Sequence, residues 1–303
     1  MTKNNNKRLT GIFLGLLGLL AIIKLLSPNP DSNIAKEFAA LDTASIYQVN
    51  FHQAGENKKA IQLKRINDGW KIIFENRQGW AADDAIQEIL KSLSSVHIDR
   101  LVGSDRNSWN ELYVNDTLGT HVTVSNQNEL VADWYIGSPS KGRSHYIRSN
   151  NEAKVYILQS EQLPALISKS FEDWHDKRLI KLDIHKINKI IFNYPADSSF
   201  TIIKIDSSWT MAYETINRFL IDNYLKNINN NKISSMAIDS SVTNSPDVTV
   251  EFFDADDQIS KIQGWKGEEK WILTSSYQLP NYFSIAESTM QNEILLPSKN
   301  LKH

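Results

Sequence analysis

The chain has 303 residues, of which 41% are hydrophobic and 22% charged, and its formal net charge is −2. These values are typical of a globular protein and exclude a disordered or fibrous chain. The near-neutral charge argues against a nucleic-acid-binding protein, which is usually basic. The absence of cysteine excludes disulfide bonds, thiol nucleophiles, thiolate metal sites and a cysteine-linked lipid anchor.

The amino terminus carries an apolar run that predicts a transmembrane signal anchor at residues 9–26. The run is interrupted only by Thr10, by glycines and by Lys24, whose ammonium group can reach the headgroups. About 18 helical residues span roughly 27 Å, close to the ~30 Å hydrocarbon core. The residues expected to contact lipid are Leu9, Ile12, Phe13, Leu16, Leu20, Ile23 and Leu26.

The charges around this run predict its orientation. Lys3, Lys7 and Arg8 precede it, and no acidic residue occurs before Asp31. By the positive-inside rule, residues 1–8 form a cytoplasmic tail and the chain after about Ser27 is exported. A cleaved signal peptide is the alternative, although the end of the run lacks the small-residue pattern of a cleavage site.

After a predicted linker at 27–43, with a short helical tail, residues 44–159 and 186–303 repeat one order of features at an offset of about 135 residues. Each repeat begins with three β-type runs that predict a meander, and the third run contains Trp70 or Trp209. The runs are Ile46–Phe51, Ala60–Lys64 and Gly69–Ile72, followed in the second repeat by Ile187–Phe192, Phe200–Lys204 and Ser208–Met211.

A helix, a Val-Thr-Val strand and further hairpins follow each meander. Asp83 or Asp84 is expected to cap the first helix, with Asp84 and Gln87 in a capping box. The expected core faces are Ile86, Ile89, Leu90 and Leu93, and then Phe219, Leu220, Tyr224, Leu225 and Ile228. The Val-Thr-Val strands lie at 122–124 and 248–250, and a helical connector at 160–185 joins the repeats. The predicted fold class is α+β: a transmembrane helix followed by two repeated units, each with an antiparallel meander, one helix and further hairpins.

Several aromatic and glycine positions carry a resemblance to a known family. They are Gly69-Trp70, Ala82-Asp83, Trp134-Tyr135-Ile136-Gly137, Tyr146-Ile147-Arg148 and the run Asp173–Leu179. With these features, nearly the whole chain resembles the bacterial family catalogued as domain of unknown function 4340. The resemblance implies a membrane-anchored extracytoplasmic protein of the bacterial inner membrane, often associated with gliding-type ABC transporter components. It supplies no established catalytic residue.

Three short motifs suggest chemistry but favour structural roles. Gly137–Ser144 is similar to a phosphate-binding loop and contains a Ser-x-x-Lys pattern, yet its flanks predict two strands and therefore a hairpin loop. Asp254–Asp257 is similar to half a calcium loop and predicts a hairpin tip. His175, between Asp173 and Asp176, lacks metal-ligand spacing, and these carboxylates are expected to pair with Lys177 or Arg178. We therefore predict no catalytic, metal or cofactor site.

Among eight tryptophans, Trp70 and Trp209 are expected in the core, whereas Trp80, Trp109 and Trp265 are candidates for a contact patch. The favoured hypothesis is a non-enzymatic binding or scaffold subunit of an envelope complex. It would bind the membrane through its helix and a protein partner through its exported part, with no cofactor and no nucleic acid. An extracytoplasmic glycan-binding module or glycan-acting enzyme is the alternative.

Overall fold

The computed structural model describes residues 36–55, 59–67, 69–139, 144–195, 198–233, 236–237, 242 and 244–301. Within these ranges, no helix has the length and apolar character needed to cross a membrane. The transmembrane segment predicted at residues 9–26 lies outside them. The described part is an α+β structure, rich in strands, with two separate antiparallel sheets and five α-helices.

The first sheet has ten strands. They are β1 (Lys36–Ala39), β2 (Gln48–His52), β3 (Ala60–Ile66), β4 (Gly69–Phe74), β5 (Arg77–Trp80), β6 (Val96–Gly103), β7 (Thr120–Ser125), β8 (Leu130–Gly137), β9 (His145–Ser149) and β10 (Val155–Leu158). Their spatial order is β1-β6-β10-β9-β8-β7-β2-β3-β4-β5. The meander β2–β5 therefore has four strands, one more than predicted.

The second sheet has nine strands. They are β11 (Lys189–Asn193), β12 (Phe200–Ile205), β13 (Ser208–Met211), β14 (Glu214–Thr215), β15 (Met236–Ala237), β16 (Val248–Asp254), β17 (Asp257–Lys266), β18 (Lys270–Ser275) and β19 (Tyr282–Ala286). Their spatial order is β14-β13-β12-β11-β16-β17-β18-β19-β15. Read from the meander edge, this order is the same as that of the first sheet without β1.

The registers place equivalent residues of the two sheets side by side. Phe51 on β2 pairs with Val122 on β7, and Phe192 on β11 pairs with Val250 on β16. If Phe51 corresponds to Phe192, Val122 corresponds to Val250 and not to Val248. The two Val-Thr-Val motifs are therefore two residues out of register with each other. Because side chains on a strand alternate between faces with a period of two residues, the valines of both motifs still point to the inner face.

Each sheet buries one long helix against its inner face. The helices are α1 (Asp83–Ser94), α2 (Gln162–Ile167), α3 (Phe171–Trp174), α4 (Arg218–Asn230) and α5 (Glu287–Thr289). The predicted core face of α1 is buried, as are Trp70 and Trp209. On α4 the buried stripe is Ile221, Tyr224, Leu225 and Ile228. Phe219 was wrongly predicted to join it: the side chain is 68% exposed because it lies outside this helical stripe.

The predicted linker ends in a strand and not in a helical tail. β1 pairs with β6, and Phe38 fixes it by packing edge-on against Trp134 at 5.7 Å and Tyr156 at 6.0 Å between ring centroids. The two predicted hairpins are confirmed, since β8 and β9 flank residues 138–144 and β16 pairs with β17 around residues 255–256.

Two adjacent residues on β12 test which side chains of this strand point into the core and which point to solvent. Ile202 is fully buried and Ile203 is 44% exposed. Ile202→Ala should lower the free energy of unfolding by about 2–5 kcal/mol because it leaves a core cavity. Ile203→Ala should lower it by less than about 1 kcal/mol. Urea unfolding of the two variants measures the difference, and equal losses would contradict the register.

Candidate functional site at the junction of the two sheets

One short segment, residues 174–179, starts at the last residue of α3, continues as extended chain from His175 and pairs with both units. On the side of the first sheet, His175 forms a β-bridge with Ala81. The Ala82 N–H donates to the Trp174 carbonyl at 2.8 Å, and the Asp176 N–H donates to the Trp80 carbonyl at 2.7 Å. The segment thus covers the outer edge of β5 and the start of α1.

Two residues later the same segment reaches the second unit. Arg178 forms a β-bridge with Lys232, just after α4. The Leu179 N–H donates to the Asn231 carbonyl at 3.2 Å, and the Ile233 N–H donates to the Lys177 carbonyl at 2.8 Å. Because one short strand serves both units, a displacement of either unit would break its hydrogen bonds.

An ion pair between the buried Asp176 and the partly buried Arg178 lies at the centre of the junction. Asp176 is buried and accepts hydrogen bonds from the Arg178 guanidinium and from the Tyr277 hydroxyl, the latter at 2.7 Å. Burial alone would raise the pKa of Asp176, but the hydrogen bonds from Arg178 and Tyr277 hold it below its ordinary value. Burial also raises the pKa of Tyr277, with a further contribution from Asp176. Asp176 is therefore ionised and Tyr277 neutral at physiological pH.

Asp83 connects this ion pair to α1. Its carboxylate lies 3.1 Å from Arg178 and 2.8 Å from Lys181, and the hydrogen bond from Lys181 is the main reason that its pKa is lowered. The predicted side-chain cap is wrong: the N-cap is Ala82, without a side-chain hydrogen bond, and Asp83 is the first helical residue. The Asp83 carboxylate pairs with two cations and makes no cap hydrogen bond to the helix amides. Its negative charge in the first turn still interacts favourably with the helix dipole.

A loop of the second unit, residues 276–281, completes the junction. The Tyr277 ring stacks on Trp80, with centroids 5.8 Å apart and planes 6° apart. The Asn281 amide donates to the Gln78 carbonyl at 2.8 Å, and the Gln278 amide donates to the Asp176 carbonyl at 2.8 Å. The loop therefore contacts the edge of the first sheet through Tyr277 and Asn281, and the segment 174–179 through Gln278.

His175 packs as a neutral ring inside the junction. The side chain is nearly fully buried (3% exposed) and stacks between Phe171 and Phe283, at 5.5 and 6.3 Å between centroids. Gly79 makes room for it, since a Cβ there would lie 2.4 Å from the ring. Burial lowers the pKa of His175 more than the nearby carboxylates raise it.

Beside the segment is an open cleft of about 520 Å³, lined mainly by charged side chains. Most of its acidic groups have partners: Asp83 and Asp176 with Arg178, Glu88 with Lys169, and Glu172 with Arg77. Among the described residues, no group of three or more His, Asp or Glu side chains is arranged to hold a metal ion. Asp83 and Asp176, whose pKa values are lowered, are better suited to holding two units together than to proton transfer near neutral pH.

The three tryptophans predicted as a contact patch are partly buried and have different surroundings. Trp80 lies in the junction, against Tyr277. The Trp109 indole N–H donates to the Ala153 carbonyl at 3.0 Å, and that of Trp265 donates to the Asn244 carbonyl at 2.8 Å. In the described part, the three rings share no ring or hydrogen-bond partner.

Trp109 belongs to a second cluster, on the outer face of the first sheet. The fully buried Arg148 guanidinium lies 3.7 Å from the Trp109 ring centroid and 4.0 Å from that of Tyr135, and its Nε donates to the Val114 carbonyl at 2.6 Å. Gly137 allows residues 112–113 to cross, because a Cβ there would lie 2.4 Å from the Leu112 carbonyl oxygen. These positions of the Trp-Tyr-Ile-Gly and Tyr-Ile-Arg motifs hold residues 104–119 on the sheet.

The profile of a family described as a domain of unknown function (DUF4340) matches residues 74–251, more than half of the chain. The chain belongs to the DUF4340 family. The DUF4340 match includes α1, the Arg148 cluster and the shared segment 174–179, but ends before the loop at 276–281. No curated protein matches the chain significantly, and no solved structure does so either.

Tyr277, Gln278 and Asn281 were missed by sequence reasoning. Their loop reads as an ordinary turn between two strands, and its contacts lie about 100 to 200 residues away in the chain. The one sequence signal was the charged and aromatic run Asp173–Leu179, whose carboxylates were expected to pair with Lys177 or Arg178. Its pairing of Asp176 with Arg178 is confirmed.

The buried His175 predicts a specific pH dependence. Its pKa is lower in the folded protein than the ordinary 6.5. Between these two pKa values the unfolded chain binds the proton, so stability falls as the pH drops below about 6.5, by up to about 1.4 kcal/mol per pH unit. His175→Phe should remove this part of the loss. Urea midpoints at pH 7.5 and 5.5 measure it, and a variant as pH-sensitive as the wild type would contradict the assignment.

Arg148 and Arg106 form a matched pair around Trp109. Arg106 is exposed, 5.4 Å from the ring centroid, whereas Arg148 is buried between two rings. Arg148→Lys should cost about 2 kcal/mol of unfolding free energy, because an ammonium group cannot stack in this slot or reproduce the planar hydrogen bonds. Arg106→Lys should cost less than about 0.5 kcal/mol. Similar urea midpoints for the two variants would exclude this role for Arg148.

Proposed function

We propose that this DUF4340 protein is a single-pass membrane protein whose two-sheet part lies outside the cytoplasm. In this proposal residues 9–26 form the anchor, residues 1–8 are cytoplasmic, and residues 44–159 and 186–303 are two units that arose by duplication around a connector at 160–185. The apolar run and its preceding basic residues support the anchor. The shared strand order of the two sheets supports the duplication.

We further propose a non-enzymatic role as a binding or scaffold subunit of an envelope complex, such as an ABC-transporter or gliding-associated assembly. The observation that carries this is the shared strand 174–179, which hydrogen-bonds to both units. Its charged groups are used in the pair Asp176–Arg178 and in contacts to Asp83. Such a junction favours a fixed spacing between two binding faces.

A specific observation favours glycan binding as the second candidate. A cavity of about 260 Å³ beside the junction is lined by Trp70, Trp80 and Tyr277, together with Asp83 and Lys181. Aromatic faces with neighbouring charged groups are suited to the apolar faces and hydroxyl groups of sugars. Trp80 is also one of the three residues predicted to form a contact patch.

The topology can be tested with single cysteines, because the chain has none of its own. In spheroplasts, a membrane-impermeant maleimide should label Glu268→Cys, in the exposed β17–β18 loop, and should not label Asn5→Cys until the cells are lysed. Labelling of neither variant in intact spheroplasts would place the whole chain inside. A mature protein that begins after Ser27 and washes free of membranes would overturn the anchor.

The complex can be tested by affinity purification from detergent-solubilised membranes. The tagged full chain should recover a partner in a stoichiometric amount that residues 1–43 fused to an unrelated domain do not recover. Recovery of the chain alone would overturn the scaffold proposal. Retention on peptidoglycan fragments that Trp80→Ala abolishes, without loss of folding, would instead support the glycan-binding alternative.

A further inference from the structure

The junction joins two unlike surfaces. The first unit supplies the edge of β5 and the start of α1, and against them lie residues 174–178 of the connector and the loop at 276–281 of the second unit. Such a contact is head-to-tail, because the two surfaces that meet in it are different. Contacts of this kind can continue from one copy to the next when the free ends are complementary.

The second unit retains a counterpart of the receiving surface. The Ala81 N–H donates to the Trp70 carbonyl at 2.8 Å, and the Ile216 N–H donates to the Trp209 carbonyl at 2.9 Å. Ile216, just after β14 and before α4, therefore corresponds to Ala81. In the first unit the two neighbouring backbone groups bind the segment 174–176. Their counterparts, the Thr215 carbonyl and the Asn217 N–H, have no hydrogen-bond partner among the described residues.

Exposed aromatic side chains flank this free edge. Tyr213, in the turn before β14, is fully exposed, and Phe219, in the first turn of α4, is 68% exposed. An edge strand with unpaired backbone groups and large apolar neighbours is a surface that favours association.

The charge at the start of the helix is reversed between the two surfaces. Asp83 is the first residue of α1 and binds Arg178 of the arriving segment. Arg218 is the first residue of α4, and its side chain is 62% exposed with one described ion pair, to Asp222 of the same helix. A cation at a helix N-terminus opposes the helix dipole. This surface therefore favours a segment that brings a carboxylate where the first unit receives a guanidinium.

The first unit presents such a carboxylate at the equivalent position. Arg178 pairs with Lys232 just after α4, and Glu37 on β1 pairs with His97 just after α1. Glu37 is exposed and forms no ion pair with the described residues. In sheet position, Glu37 is thus the counterpart of Arg178. A second copy of the chain therefore offers Arg218 a carboxylate in addition to that of Asp222 on its own helix.

We propose that copies of this chain associate head-to-tail, with Glu37 on β1 of one copy against Arg218 at the start of α4 in the next. The ion pair Glu37–Arg218 takes the place of Arg178–Asp83 with the signs exchanged. This goes beyond the role as a scaffold subunit, because it assigns a second copy as the occupant of one binding face.

Disulfide cross-linking tests the geometry without background from native cysteines. Two differently tagged full chains, carrying Glu37→Cys and Arg218→Cys, are co-expressed and oxidised in isolated membranes. The mixed dimer should form several-fold more than with either variant alone or with Glu37→Cys paired with Glu268→Cys. A mixed dimer no more abundant than these controls overturns the proposal. Equal self-linking of Glu37→Cys does the same, because it indicates a symmetric contact.

Charge exchange tests the ion pair itself. In sedimentation of the detergent-solubilised full chain, Arg218→Glu should weaken self-association by about tenfold, and Glu37→Arg should do the same. The double variant should return to within about threefold of the wild type, since the two charges are again opposite. Unchanged urea midpoints control for folding. A wild-type chain that stays monomeric, or a double variant as weak as the single ones, overturns the proposal.

Discussion

The ion pair between the buried Asp176 and Arg178 is the interaction on which the arrangement of the two units depends. A carboxylate removed from water is unfavourable unless charged and hydrogen-bonding partners replace the water. Here Arg178 supplies the charge and Tyr277 a further hydrogen bond. Arg178 belongs to the shared strand and Tyr277 to a distant loop. The requirement to satisfy one buried group therefore holds two distant parts of the chain together, the segment 174–179 and the loop at 276–281.

Local sequence patterns predicted many strands and both long helices, because the spacing of apolar residues depends on the local backbone conformation. Alternating apolar residues placed the meanders, and the spacing of Ile86, Ile89, Leu90 and Leu93 placed α1 and its buried face. The same reasoning failed at Phe219, where a large apolar side chain is mostly exposed. It also failed at β1, where the contact of Phe38 with Trp134 and Tyr156 decides the conformation from about 100 residues away.

The junction was only partly predictable for the same physical reason. The ion pair of Asp176 and Arg178 joins residues two apart, and the run around them was noticed. The contribution of Tyr277, Gln278 and Asn281 comes from tertiary contacts, and a loop sequence carries no periodic signal for those. Two glycines illustrate the point, since Gly79 has the His175 ring against it and Gly137 has the crossing backbone of Leu112 and Tyr113.

The strand β1 also limits how far the protein can reach. On the proposed topology the anchor ends at residue 26 and β1 begins at Lys36. The nine intervening residues span at most roughly 30 Å at ~3.3–3.6 Å each. The tether therefore ends at β1 (Lys36–Ala39) and not at β2 (Gln48–His52), where the first meander begins. On that topology it would hold the start of the first sheet near the bilayer surface, within reach of other membrane-bound proteins.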